Sequence, residues 1–382
     1  MDIRDLGVDD LDAVLDNRKR AFGPLSAGDA AMWRRMVTPL AAQGRYLGVV
    51  DGARLVATAR INPYTQWWHG RPQPMGGVAG VTVAPEDRGR GVGRLVMGAA
   101  LERCADLGNA VSVLYPATTP LYRSMGWEHA GTRSIATLPT ELLRTVAPGD
   151  PVKLRRMGPA DADDLVALIG RLHAAARACG PLCYDADTWR VWLADDDDFC
   201  YLADDGYVIY RWSGGDIEVD NLVAASEATA RALWGLVGTS SSVAKRVTAT
   251  IAPDDPVLWL LRERSTDVVA STRWMFRLVD VAGAIARRGY SPAVTASVPF
   301  ELTDPARPSN SGPWRLEVAA GAGALTPGSG GGPALTINGL SALYAGVPAA
   351  TLRMSGALTG PAGFDDALDA VFAAKPYLLD YF

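Results

Sequence analysis

The residues with the most chemical content lie between Val81 and Arg94, in the order Val-Thr-Val-Ala-Pro-Glu-Asp-Arg-Gly-Arg-Gly-Val-Gly-Arg. Val78 to Val83 reads as an apolar strand ending at Ala84-Pro85, and Arg88-Gly89-Arg90-Gly91-Val92-Gly93 reads as a turn opening directly into a helix. Glycines let backbone N–H groups close on an anion, the helix N-terminus adds the positive end of its dipole, and the arginines add formal charge. Such a turn suits a pyrophosphate. It is neither of two other phosphate loops, because no Gly-Lys-Ser/Thr follows and these glycines do not fit the frame Gly-x-Gly-x-x-Gly. By itself Arg-Gly-Arg-Gly is also compatible with a flexible surface turn, so the context must decide.

Tyr122, in Pro120-Leu121-Tyr122-Arg123-Ser124-Met125-Gly126-Trp127, is the second candidate. A phenol with a pKa of about 10 stays protonated at neutral pH and can donate its proton to a leaving group. A packed aromatic at a helix start is the alternative. The three histidines, His69, His129 and His173, are far apart and none has metal-ligand spacing. Cys104, Cys179, Cys183 and Cys200 make neither a zinc pattern nor a C-x-x-C pair, and read as reduced, partly buried thiols. No Gly-x-Ser-x-Gly elbow occurs. The run Asp195 to Asp198 reads as a solvated loop.

These groups are positioned by an α/β order of elements. A helical stretch from Val8 to Phe22 precedes strands Tyr46–Val50 and Arg54–Ile61, joined by an Asp51-Gly52 turn. The Val78–Val83 strand and a Val92–Leu107 helix follow, the latter with Val92, Leu95, Val96 and Ala99 on one face and Gly108 as its stop. A strand from Ala110 to Leu114 leads to the short helix of Tyr122, started at Thr119-Pro120.

Pro148-Gly149-Asp150-Pro151 marks a boundary, after which Val152–Arg156 and Pro159–Val166 repeat the grammar of Ile3–Leu6 and Val8–Val14: a short strand, an aspartate-rich cap, an amphipathic helix. A second copy of the same fold is expected. In it the strand-to-helix step at Val219–Ala230 carries neither the glycines nor the arginines, so this copy should not bind the same ligand. A third region begins near Trp274, with a Gly-rich stretch (321–332) that reads as a flexible hairpin loop and an apolar terminus, Lys375-Pro376-Tyr377-Leu378-Leu379-Asp380-Tyr381-Phe382, that reads as docked. The expected domains are 1–148, 149–273 and 274–382.

At 382 residues the chain calls for two or three domains. Its net charge of −5 offers no footprint for nucleic acid and suits a cationic partner. The acidic start Met1-Asp2-Ile3-Arg4-Asp5 lacks a signal-peptide core, and no apolar run is long enough to span a membrane. The expected location is cytoplasmic, with export by a signal-independent route left open.

Arg-x-x-Gly-x-Gly after a Val-x-Val strand resembles the acetyl-CoA-binding signature of the Gcn5-related N-acetyltransferases. For acetyl transfer to an amine, Val81, Thr82 and Val83 as an open strand edge can hold a pantetheine arm, and the Val83 N–H can polarise the thioester carbonyl. Two tandem copies, only the first with the turn, then a third region with an apolar end, resemble the Eis (enhanced intracellular survival) family over essentially the whole chain. That resemblance implies two acetyltransferase folds followed by a sterol-carrier-protein-like α+β domain, acetyl-CoA as co-substrate, no metal, and a homo-oligomer, a hexamer. It also implies Tyr122 as general acid and the terminal carboxylate of Phe382 as general base. Val81 to Val83, Gly89 to Arg94 with Arg88, and Ala117-Thr118 would contact the coenzyme.

Two departures stand out. Ala117 replaces a frequent serine, and Asp380-Tyr381 differs from relatives with an acidic penultimate residue, which would weaken attraction for multiply charged amines. The implied acceptors are aminoglycoside-like polyamines or lysine ε-amines of peptides. Trp33, Trp67 and Trp68 are candidates for an acceptor pocket or for core. A coenzyme-sensing carrier with an apolar ligand in the third region is the competing reading, and acetylation of a thiol-precursor amine leaves that region unexplained.

Overall fold

The computed structural model describes residues 1–262 and 268–382. The chain opens with β1 (Asp2–Asp5), α1 (Leu11–Phe22), α2 (Ala27–Ala42), β2 (Tyr46–Asp51), β3 (Arg54–Trp68) and β4 (Arg71–Val83). Then come α3 (Val92–Asp106), β5 (Val111–Leu114), α4 (Thr119–Ser124), β6 (Glu128–Pro139) and α5 (Thr140–Arg144). The expected elements are present, but β3 and β4 are longer than read. They continue as a hairpin closed by His69 and Gly70, both at positive φ, the turn geometry that matches strand twist. The sequence reading lacks α2, whose pattern is broken by Pro39; Ser26 Oγ starts it by accepting from Asp29 N at 3.1 Å.

The second region holds β7 (Arg155–Arg156), α6 (Ala162–Ala175), β8 (Leu182–Cys183), α7 (Ala186–Trp192), β9 (Asp198–Ala203), β10 (Gly206–Ser213), β11 (Asp216–Ala224), α8 (Glu227–Gly238), β12 (Arg246–Ile251), α9 (Val257–Leu260) and β13 (Val268–Leu278). The third holds α10 (Val281–Arg287), β14 (Ala296–Thr303), β15 (Gly312–Ala319), β16 (Ala322–Pro327), β17 (Ala334–Thr336), α11 (Ile337–Tyr344), α12 (Ala349–Met354), β18 (Leu358–Thr359) and α13 (Asp365–Phe372), then an extended tail. The Gly-rich stretch is not a loop throughout: Gly321 turns a hairpin with Ala320, and Ala322–Pro327 is a paired strand.

Among the described residues one sheet runs β1-β2-β3-β4-β5-β13-β6-β12-β11-β10-β9-β7, with β8 alongside β3, and a five-stranded sheet, β16-β15-β14-β17-β18, forms the third region. Two pairs in the large sheet are parallel: β4 with β5, and β11 with β12. Each is joined through a helix, α3 in one case and α8 in the other, as parallel neighbours require. This is the repeated unit that the aspartate-rich openings announce. The units interlock, because β13 inserts between β5 and β6 while β6 pairs on its other side with β12. β13 runs across residue 273, so the two halves share one sheet.

The largest core joins first and third regions, with the Trp68 ring 5.0 Å from Phe276 and 4.9 Å from Tyr344. Arg288 is buried in it, its guanidinium 4.5 Å from the Tyr344 ring centre and its Nη1 donating to Tyr344 O at 2.6 Å. The tail threads back into the first two regions. A Cβ on Gly131 would stand 2.4 Å from Pro376 O, and one on Gly180 2.5 Å from Tyr377 O, so both glycines make room for its backbone.

Candidate active site

β4 and β5 pair only over Met75–Gly77 with Val111–Val113. β4 then runs on to Val83, still paired with β3 on its other side, and the edge facing β5 is left open. Val81, Thr82 and Val83 lie on this stretch, as expected. A bulge opposite Ala59 loosens it, and Thr58 Oγ1 donates to Gly80 O at 2.8 Å to hold the bulge.

The turn follows the strand. Gly89 (φ 77) and Gly91 (φ 79) adopt the left-handed conformation that their sequence suggests, with no other atom crowding either Cα. Gly91 is the N-cap of α3, and no side chain caps it, so the first-turn N–H groups of Val92, Gly93 and Arg94 point outward without a side-chain partner. Arg88 and Arg94 are exposed and make no ion pair with a described residue. Arg90 is different: its Nη1 donates to the buried Asp87 at 2.5 Å, and Arg54 pairs with the same carboxylate at 2.6 Å. Those two guanidiniums hold Asp87 below the usual carboxylate range. One expected anion ligand is therefore already committed to shaping the turn, while the other two are free. A donor set of open N–H groups and two free arginines fits a pyrophosphate.

Tyr122 is buried on α4, and burial pushes its phenol up to about 12. Its hydroxyl makes no hydrogen bond to a described residue. α4 is anchored from the third region, where Asn338 Nδ2 donates to Arg123 O at 3.1 Å and Trp127 O at 3.0 Å. Leu121 packs 3.3 Å from the Cβ position of Gly93, and Val83 3.7 Å from it, so the helix of Tyr122, the turn helix and the strand end converge. Ala117 and Thr118 are exposed just before α4.

Phe382 reaches the point where β4 and β5 part from the opposite end of the chain. Its ring lies 3.0 Å from the Cβ position of Gly77, where β4 and β5 part, and edge-on to Tyr64 at 4.9 Å between centroids. Beside it opens a cavity of about 240 Å³ lined by Asp198, Asp220, Asp380 and Glu218 against two cations, Arg133 and Arg211. Tyr184, Trp189 and Trp192 form its aromatic wall. Burial pushes Asp198 and Asp380 up to about 6 and raises Asp220 as well, with neighbouring carboxylates adding to the effect. Asp198 corrects the reading of Asp195–Asp198 as solvated: it opens β9, its side chain is 4% exposed, and it pairs with Arg211 at 2.9 Å. Trp67 and Trp68 are core, and Trp33 packs against a small cluster under α1 and α2. Sequence reasoning gave no role to Tyr115, Asp220 and Asn221, because they come beside the tail at Asp380 only in the folded chain. A polar residue immediately after the Val111–Leu114 strand was the available signal for Tyr115.

Models of an acetyltransferase (GNAT) domain match residues 2–130 and 180–278, and a sterol carrier protein domain model matches residues 281–379. The crystal structure of a GCN5-related N-acetyltransferase from Kribbella flavida is 47% identical, with a TM-score of 0.96 over 100% of this chain and 98% of that one. An N-acetyltransferase of Streptomyces avermitilis is 29% identical over 373 residues, 90% of each chain. The N-acetyltransferase Eis of Mycobacterium tuberculosis is 27% identical over 277 residues, 66% of each. With its open strand edge, unpaired arginines and two interlocked copies of one fold, the chain belongs to the GCN5-related N-acetyltransferases, in the Eis-type arrangement of two such domains followed by a sterol-carrier-like domain.

Proposed function

We propose that this enzyme transfers the acetyl group of acetyl-CoA to a primary amine by direct attack, with Tyr122 as general acid and the carboxylate of Phe382 as general base. Acetyl-CoA supplies the activated acyl group. The open edge of Val81–Val83 holds its pantetheine arm by backbone hydrogen bonds, and the Val83 N–H polarises the carbonyl. Arg88, Arg94 and the N–H groups from Gly89 to Arg94 grip the pyrophosphate, with Arg90 keeping the turn in shape. Ala117 and Thr118 line the coenzyme from the β5 side. Tyr122, kept protonated by burial, donates to the leaving thiolate. The Phe382 carboxylate takes the ammonium proton before attack.

The observation that carries this reading is that the chain terminus reaches Gly77, where β4 and β5 part, on the strand whose open end leads to the turn and the Tyr122 helix, beside a cavity with excess negative charge. Such a cavity suits an acceptor with more than one ammonium, an aminoglycoside-like polyamine or a lysine-bearing peptide. The carrier reading needs an apolar ligand in the third region, where a cavity of about 410 Å³ lies against Leu343, Val347 and Phe372; it leaves the open strand edge and the free arginines of the first region without a catalytic use. Thiol release from acetyl-CoA with a panel of polyamines and lysine peptides tests the proposal. Turnover that falls about 10²-fold or more in both Tyr122→Phe and a chain lacking Phe382, with coenzyme binding retained, supports the two roles; wild-type turnover in both refutes them. Light scattering on the purified enzyme tests the hexamer implied by resemblance.

A further inference from the structure

We propose that Tyr115 positions the C-terminal carboxylate for proton abstraction, an inference that rests on the reading of Phe382 as the base. The tail is pinned step by step as it enters the cleft. Tyr377 N donates to Cys179 O at 3.2 Å, Leu378 N donates to Thr132 O at 3.1 Å, and Arg133 Nε donates to Leu379 O at 3.2 Å. One more backbone anchor follows, the Tyr115 hydroxyl donating to Asp380 O at 2.7 Å. Beyond it, no backbone group of Tyr381 or Phe382 hydrogen-bonds to a described residue.

The same side chain also holds those last two residues by its ring. The Tyr115 ring lies 4.4 Å from that of Tyr381 and 5.6 Å, edge-on, from that of Phe382, while Tyr64 closes on Phe382 from another direction. Tyr115 is the first residue after β5, so its backbone is fixed by the sheet that forms one wall of the coenzyme cleft. It therefore ties the terminus directly to that wall. The Asp380 side chain is held separately, its Oδ1 accepting from Asn221 Nδ2 at 3.4 Å.

A chain end is the most mobile part of a polypeptide unless it is tied down. A base must lie within hydrogen-bond reach of the proton it takes, and a displacement near 1 Å costs about 10²-fold in rate. Two otherwise unbonded residues could not hold a carboxylate to that tolerance. The hydroxyl bond fixes where the last two residues start, and the ring contacts fix their direction. Burial raises the Tyr115 phenol well above its ordinary value, so it stays a donor across the working pH range. Tyr115 acts through Phe382 and is a positioning residue.

The test uses the full-length enzyme, acetyl-CoA and spermidine, with thiol release as the readout. Tyr115→Phe removes the hydroxyl bond and keeps the ring, Tyr115→Leu removes both, and each is also made in a chain lacking Phe382. Thermal unfolding establishes that every variant is folded. The expected result is a kcat lowered about tenfold in Tyr115→Phe and further in Tyr115→Leu, with the KM for acetyl-CoA unchanged and the acidic limb of the pH–rate profile displaced. In the chain lacking Phe382 neither substitution should lower kcat further, because the group they position is gone. If deleting Phe382 lowers kcat but folded Tyr115 variants keep wild-type kcat, the positioning role is overturned and the base stands. The positioning role is likewise overturned if the Tyr115 substitutions cost as much without Phe382 as with it. If deleting Phe382 leaves kcat unchanged, the base reading falls and the role of Tyr115 falls with it.

Discussion

The two parallel strand pairs of the large sheet are built alike and differ in what they offer a ligand. β4 and β5 pair over three positions before parting, and so do β11 and β12, at Ile217–Val219 with Val247–Ala249. In the first pair the outgoing helix starts at Gly91 with no side-chain cap, and two free arginines flank it. In the second, Ser226 Oγ accepts from Thr229 N at 3.2 Å, and Glu227 occupies the first turn of α8. The donors that would meet a phosphate are partly satisfied internally, and the nearby charge has the wrong sign. A cavity of about 430 Å³ remains in the second opening, lined by His173, Leu222, Trp234, Tyr377 and Leu379. The backbone creates an opening twice, and the residues at one turn decide whether it offers free donors to an anion.

The largest effects should come from the chemistry of the first opening. Tyr122→Phe and an added glycine after Phe382 should each lower kcat by about 10²-fold or more, measured by thiol release, while Tyr377→Phe in the second opening leaves kcat near the wild-type value. Arg88→Gln with Arg94→Gln should raise the KM for acetyl-CoA by about 10- to 100-fold, since hydrogen bonds to charged groups are worth about 1.5–3 kcal/mol. Ala225→Arg in the second opening should leave that KM unchanged, because charge without the left-handed glycines and uncapped helix makes no cradle. A changed KM there would break the comparison.

A smaller effect is expected from the acidic cavity beside the tail. Asp198 and Asp380 ionise near pH 6, so their attraction for a polyamine is present above about pH 6 and fades as the pH falls through it. The KM for spermidine should rise below pH 6, and Asp198→Asn should flatten the rise; a pH-independent KM would place the amine elsewhere. The smallest concerns stability. Burial holds His173 down at about 4, below its ordinary value of about 6.5. The unfolded chain therefore binds a proton between those values and the folded chain does not, so stability from this group is lost as pH falls from about 6.5 to about 4. Chemical denaturation of wild type against His173→Gln should show a difference in slope of up to about 1.4 kcal/mol per pH unit over that window. Parallel slopes would show that His173 is not buried in its neutral form.

Much of this was legible in the residues. Gly89, Gly91 and the flanking arginines announce an anion turn because positive φ and open N–H groups are local requirements, and local requirements leave local marks. The repeat was legible from two aspartate-rich helix starts, and the docked terminus from its apolar composition. The role of Arg90 was not, because its partner Asp87 is also held by Arg54, which opens β3 and lies 33 positions earlier. Nor was the burial of Asp198, since three aspartates precede it and only the pairing of β9 with β10 sets its side chain inside.

The sequence by itself determined the left-handed glycine turn that opens α3, the two copies and the third region that follows them. Only the tertiary structure decided that β13 crosses between β5 and β6, that Asn338 from the third region braces the helix of Tyr122, and that Phe382 meets Gly77 in the cleft. Those contacts join residues separated by a hundred positions or more (Asn338 and Trp127 by 211). Chain order carries no signal for them; they follow from strand pairing and burial, which act between whichever segments the completed sheet brings together.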